Sequence, residues 1–406
     1  MTFDRGFLWG AATAAYQVEG GNIASDWWEF EHTLDAPISE PAGDSVDHYH
    51  RFEEDIKLLA DLGLNAYRFG IEWSRIEPEI GEISYAAIDH YRKVLEACHR
   101  YGVTPMVTLM HHSIPRWLAH KGGFLLDDAP GYFADYSHLI ATELSDQLRY
   151  VMTINQPNLD ANLGYRYGKT YAGWLALQRM SGDEAAERVH PNYFAAHSES
   201  VAAVRASAPH VQIGVGLSIE SWVFDGSEEE LQKQKVVKEW EDDYYKCTIG
   251  DDYVGVQTYS RKWATPLVAG QIPIGSKGYG YPEGSRLTSM GYEFYPPSIG
   301  ETVRRIYELT STPIIVTENG IGTDDDNERI EYIDGALASL ESCVDDGIDV
   351  RGYFHWSLMD NFEWNAGYKM RFGLIDVDRR TFKRTPKPSA IHYGKLATRQ
   401  PSIDKN

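Results

Sequence analysis

Short apolar, β-branched runs recur eight times along the chain, at residues 7–12, 65–71, 104–110, 150–154, 211–217, 253–259, 314–318 and 350–356. Such runs read as strands buried on both faces, the pattern of a parallel sheet. Most are separated by segments with helical spacing, predicted near residues 52–60, 88–98, 132–144, 192–207, 231–245, 299–306 and 330–344. Gly63 and Gly102 stand where two of these helices should end. A strand–helix alternation repeated eight times predicts a closed (β/α)8 barrel. The rival, an open doubly wound sheet, would carry a G-x-G-x-x-G after one of its strands, and none is present. At 406 residues the chain fits one barrel with elaborated loops, and no shift of composition marks a boundary within 1–406. Residues 26–44 and 268–285 read as loops, the second expected over the barrel mouth.

Composition narrows the partners. The net charge of −22 argues against nucleic acid or an anionic membrane, both polyanions. No span reaches the length of a membrane helix, and the first residues lack a basic region followed by an apolar run, so a cytoplasmic setting is expected. Cys98, Cys247 and Cys343 are odd in number and widely spaced, which indicates neither a disulfide framework nor a thiolate metal site. His48, His50, His111 and His112 invite a zinc reading but lack a third ligand at suitable spacing, so neither metal nor cofactor is expected. The 26 Tyr and 11 Trp could supply flat faces for a sugar ring as readily as core packing.

Polar side chains gather where the strands end. The run Ile314-Ile315-Val316-Thr317 leads straight into Glu318, then Asn319-Gly320. Alone, Glu318 reads more readily as a cap of the following helix than as a catalytic group. Around it in the pattern stand Gln17 after the first strand, Arg68 in the second, and His111 and His112 after the third. Asn155 and Gln156 follow the fourth, Tyr259 ends the sixth, and Trp356, Glu363 and Trp364 lie in or after the eighth. In parallel barrels these C-terminal strand ends share one face, where ligands bind. A polar, aromatic-lined pocket is therefore expected.

Four motifs carry a resemblance to a known family. They are FLWGAATAAYQVEGG at 7–21, DHYHRFEEDI at 47–56, VTENG at 316–320 and WSLMDNFEW at 356–364. Together they make the chain resemble the retaining β-glycosidases of glycoside hydrolase family 1, the β-glucosidase family, over nearly its whole length. The resemblance implies that Glu318 is the nucleophile, forming a covalent glycosyl-enzyme through an oxocarbenium-like transition state. It implies that Arg68 and Tyr259 hold the Glu318 carboxylate. Gln17, His111, His112, Asn155, Glu363 and Trp364 would grip sugar hydroxyls, and Trp356 would be the stacking platform.

One motif departs from the family. Where the pattern has T-x-N-E-P, with Glu as general acid/base, this chain has Thr153-Ile154-Asn155-Gln156-Pro157. An amide can neither protonate a departing oxygen nor take a proton from water, so activity is expected to be impaired. Three explanations stay open: an engineered Glu→Gln variant, which the retained Pro157 and the otherwise intact sugar-binding set favour, a natural enzyme for thioglycosides or activated glycosides, and a sugar-binding or transglycosylating relative. Two further positions differ, Gln257 for an Asn and His112 for the usual Trp. Phe372 and Glu363 are expected to disfavour a 6-phosphate, since a carboxylate there repels it. An unphosphorylated β-glucoside, β-galactoside or β-fucoside is the implied substrate. An oligomer is compatible with the sequence, which does not specify one.

Overall fold

The computed structural model describes residues 3–223, 241–263 and 284–399. Eight parallel strands close into a barrel in chain order: β1 (Leu8–Ala12), β2 (Ala66–Gly70), β3 (Thr104–Met110), β4 (Tyr150–Asn155), β5 (Gln212–Ser218), β6 (Tyr253–Gln257), β7 (Ile314–Asn319) and β8 (Val350–Trp356). Closure runs through β1 and β8, paired from Leu8↔Gly352 to Ala12↔Trp356. Nearly every strand residue is buried, as expected for strands covered by helices outside and packed side chains within.

The barrel interior is filled by Leu8, Ala66, Met106, Tyr253, Ile315 and Phe354, which form a cluster separate from the larger core between strands and helices. Gly10 makes room for it, because a Cβ there would come within 2.4 Å of the Phe354 ring. This plug closes the lower barrel and leaves the upper end for polar groups.

Two irregularities lie in the strands that matter most. Val256 pairs with Val316 but Gln257 pairs with Glu318, so β7 gains one residue on β6. It gains one on β8 as well, between Tyr353↔Val316 and His355↔Asn319. Strand β4 likewise gains one on β5, between Met152↔Gly214 and Asn155↔Gly216. An extra residue bends a strand and re-aims its side chains, and here it does so just before Glu318 and Asn155.

Several boundaries differ from expectation. Within the segment read as loop, Asp26–Glu31 is a helix, capped by the Ser25 hydroxyl accepting from the Trp27 amide at 3.2 Å, with Trp27 and Phe30 buried. Its aromatic residues hid the helical spacing. The helix expected from residue 192 begins at Gly182 and runs to Ser207, capped by Ser181. Pro191 lies inside it, although a proline removes an interior hydrogen bond. Strand β6 stops at Gln257, leaving Tyr259 beyond its end. Of the helix expected at 231–245, the described residues are 241–245 and all are helical, the first two as a π turn and Asp243–Tyr245 as α-helix. The loop at 268–285 lies outside them except for its last two residues. Two small sheets were not foreseen: Ser221–Val223 pairs with Arg261–Trp263, and Ile375–Asp378 with Lys383–Pro386. Among the described residues no helix is long and apolar enough to cross a membrane.

Candidate active site

Glu318 is the penultimate residue of β7 and nearly buried. Arg68 Nη1 donates to its Oε1 at 2.6 Å, and the Tyr259 hydroxyl donates to its Oε2 at 2.6 Å. Both carboxylate oxygens are thus held. Arg68 is fully buried and uses its remaining donors on Thr108 Oγ1 (3.0 Å), the Thr317 carbonyl (3.1 Å), Asn155 Oδ1 (2.6 Å) and His111 Nδ1 (3.3 Å). A buried pair with every donor used is rigid, and removing one partner strands the other charge at a cost of about 3–5 kcal/mol. Tyr259 is fixed in turn by the Tyr332 hydroxyl, which donates to its carbonyl at 2.8 Å. Burial, then the Glu318 charge, pushes the Tyr259 phenol well above its ordinary value, so it stays a donor.

The wall behind Glu318 is an amide–imidazole network. Asn155 Oδ1 accepts from Arg68 and, at 2.7 Å, from Gln257 Nε2, which also donates to Thr317 Oγ1 at 3.1 Å. Gln257, noted as a departure from the family pattern, therefore braces β4 against β7. Gly216 permits this reach, since a Cβ there would come within 2.7 Å of the Gln257 amide nitrogen. Asn155 Nδ2 faces His111 Nε2 at 3.0 Å and His112 Nε2 at 3.2 Å. Burial, reinforced by His112 and Arg68, holds His111 well below its ordinary value, so it is neutral.

Gln156 follows β4 in the left-handed region (φ 50°), its amide N–H donating to the Gly216 carbonyl at 2.7 Å. Gln156 lines one cavity with Glu318, Tyr259, Trp356, Glu363 and Trp364, and with His111, His112 and Phe372. Gln17, Arg68 and Asn155 are fully buried and belong to the layer that positions this wall. Gln17 Nε2 donates to the Phe362 carbonyl at 2.7 Å and to Glu363 Oε2 at 3.3 Å. Its Oε1 is buried without a hydrogen-bond partner among the described residues.

Three site residues escaped the sequence reading. Asp160 accepts from His112 Nδ1 at 2.7 Å, and its signal was its spacing, one helical turn after Gln156. Glu220 and Lys262 pair with each other at the cavity wall. They meet through the small sheet of Ser221–Val223 and Arg261–Trp263, which sequence spacing does not show.

Glu363 gives the site a pH signature. Burial, then the Glu318 charge, raises its carboxyl from 4.5 to about 8. A raised carboxyl favours the fold while protonated, and that contribution fades as pH rises from 4.5 toward 8. Glu363→Gln, which cannot ionise, is expected to stabilise the ligand-free protein by about 1–3 kcal/mol at about pH 9 and little at about pH 4.5, allowing for the part of the carboxyl that faces cavity water. Urea unfolding of both proteins at the two pH values measures it, and equal differences at both would remove Glu363 as the cause.

A family model described as Glycosyl hydrolase family 1 matches residues 1–254 and 228–401. The chain belongs to glycosyl hydrolase family 1. Beta-glucosidase A of Thermotoga maritima is 30% identical, over 97% of each chain. A bifunctional beta-D-glucosidase/beta-D-fucosidase of Bifidobacterium breve is 31% identical, again over 97% of each. Among solved structures, the β-glycosidase BGL167 is 39% identical with a TM-score of 0.87, covering 98% of this chain and 100% of its own. The family 1 β-glucosidase of Thermotoga maritima superposes with a TM-score of 0.88 at 28% identity, over 97% and 98%. These family-1 likenesses span the whole barrel. Among the described residues no group of three or more His, Cys, Asp or Glu is placed to hold a metal ion. His48 instead bonds Asp55 at 2.8 Å and the Tyr67 hydroxyl at 3.1 Å.

Proposed function

We propose that this family-1 chain is an exo-acting retaining β-glycosidase, with Glu318 as nucleophile and Gln156 in the acid/base position. The observation that carries it is Glu318 itself, held on both oxygens by Arg68 and Tyr259 and facing a cavity lined by Trp356, Trp364 and Glu363. A carboxylate so fixed is pre-aligned for attack on an anomeric carbon. Glu363, held by buried Gln17, and the imidazoles of His111 and His112 offer donors and acceptors to sugar hydroxyls. The one Lys or Arg among the described residues lining the cavity, Lys262, engages Glu220. With no Lys or Arg left to meet a phosphate, this favours an unphosphorylated β-glucoside, β-galactoside or β-fucoside.

Gln156 makes the leaving group decisive. Glycosides whose aglycone departs unaided, including thioglycosides and activated aryl glycosides, suit an amide at this position better than alkyl glycosides do. The His112–Asp160 pair beside it favours an inherited Gln over an introduced one, since His112 is a second departure from the family pattern and lines the same cavity as the first. The test is 2,4-dinitrophenyl β-glucoside mixed rapidly with enzyme. A burst of dinitrophenol stoichiometric with protein, and a glycosyl adduct found by mass spectrometry on the peptide containing Glu318, are expected. Sugar binding without burst or adduct would leave a carbohydrate-binding protein instead.

A further inference from the structure

His112 stands where the resemblance leads one to expect a Trp, and it brings a partner. Its Nδ1 donates to Asp160 Oδ1 at 2.7 Å, with side-chain exposures of only 10% and 8%. Asp160 is held by the same turn that presents position 156. The Asp160 amide donates to the Gln156 carbonyl at 3.0 Å, so the carboxylate sits one helical turn after Gln156 and aims back at His112. The His112 backbone is in the left-handed region (φ 62°), unfavourable for a bulky residue, and the Trp27 indole donates to its carbonyl at 2.9 Å. Its ring lines the same cavity as Gln156 and Glu318. A carboxylate on one nitrogen of an imidazole whose ring lines a reaction cavity is the arrangement that lets histidine exchange protons.

We propose that the His112–Asp160 pair carries the proton that residue 156 cannot. This rests on Glu318 acting as nucleophile. As the Glu318 oxygen bonds to C1 and the C1–O bond breaks, His112 Nε2–H passes its proton to the departing oxygen. Water then bonds to C1 as the Glu318 ester bond breaks, and the neutral imidazole takes the proton from that water. The proton returns to Nε2, Glu318 is again a carboxylate, and no further reactant is needed. Asp160 steadies the imidazolium and fixes the tautomer.

The surrounding charges support this. Burial works against the imidazolium, but the charge and hydrogen bond of Asp160, the Glu318 charge and the Gln156 side chain outweigh it and raise His112 above its ordinary value. Glu363 also faces it across the cavity, and Trp364 packs edge-on with centroids 5.6 Å apart. Neutral His111 and, through Asn155, Arg68 lie on the opposite side. His112 Nε2 faces Asn155 Nδ2 at 3.2 Å. Protonation of His112 makes Nε2–H and Asn155 Nδ2–H both donors, so that contact breaks and Nε2–H is free for the glycosidic oxygen.

The experiment compares wild type, His112→Phe, Asp160→Asn and His112→Phe/Gln156→Glu on aryl β-glucosides of graded leaving-group acidity. His112→Phe is expected to lower kcat/KM about 10²-fold on the phenyl glucoside and at least about tenfold less on the 2,4-dinitrophenyl glucoside. Asp160→Asn, which keeps the shape of the site, is expected to move the basic limb of the pH profile to lower pH. Adding Glu at position 156 should restore the phenyl glucoside rate in the His112→Phe background. A loss equal across leaving groups, or an unmoved basic limb in Asp160→Asn, would overturn the proposal and leave His112 as a sugar-binding group. The dinitrophenol burst separates the two readings: if wild type lacks it, the nucleophile reading fails, and if it persists with no change in leaving-group dependence, only the His112 assignment fails.

Discussion

Glu318→Ala is expected to lower kcat on aryl β-glucosides by about 10⁵-fold or more, the scale on which loss of an enzyme's nucleophile is felt. No neighbour can replace it. Glu363 is the other carboxyl deep in the cavity, and burial with the Glu318 charge pushes it up to about 8, so near neutrality it is mostly protonated and a poor nucleophile. Glu220 is tied to Lys262. The truncation leaves Arg68 buried without its carboxylate, so Glu318→Gln, closer in shape, serves as the second variant, with thermal unfolding to confirm that each is folded. In Glu318→Ala, added azide should occupy the vacated space and convert an activated β-glucoside to the α-glycosyl azide, since attack then comes from the side where Glu318 stood. Retention of more than about one hundredth of wild-type turnover in both variants would remove Glu318 from the nucleophile role.

Gln156→Glu is expected to act in the opposite direction. In wild type, a gain of about 10–10²-fold in kcat/KM on phenyl β-glucoside is expected, less than the 10²–10⁴-fold a positioned acid/base ordinarily contributes. The shortfall has a physical cause: His112 already moves part of the proton, and its imidazolium beside a new carboxyl at position 156 favours the ionised form over the acid. In the His112→Phe background the gain should reach the full range. The 2,4-dinitrophenyl substrate, whose phenolate departs without protonation, should show little gain in the burst step. Gly216, whose carbonyl accepts the residue 156 amide at 2.7 Å, fixes the backbone in either form, so a change of side chain need not move it. An absent gain on every leaving group would detach position 156 from proton transfer altogether.

The barrel was legible because its signals are local. Residues 104–110 and 350–356 were read as strands and are β3 and β8 to the residue, since β-branched runs bounded by turn residues need no partner to be recognised. Gly63, expected to end a helix, does so with φ 92°, directly after His48–Asp61 and its cap. The misses share a cause: the Asp26–Glu31 helix is too short and too aromatic for periodicity, and Pro191 broke the pattern of a helix that tertiary packing continues through it. Placement of the site was legible in the same way. Glu318, Gln156, His111, His112, Trp356, Glu363 and Trp364, all read from strand ends, meet in one cavity.

What the sequence by itself determined was the eightfold alternation, and with it the face on which Glu318, Arg68 and Tyr259 had to appear. It also determined that position 156 carries an amide. Which side chains touch was decided only in three dimensions. The extra residue in β7 turns Glu318 toward Arg68, and the extra residue in β4 sets Asn155 between Arg68 and two imidazoles. A strand's period-two alternation predicts neither, because a bulge arises from register with neighbours distant in sequence. Asp160 likewise became meaningful only once the turn after β4 brought its carboxylate to His112, 48 residues earlier in the chain.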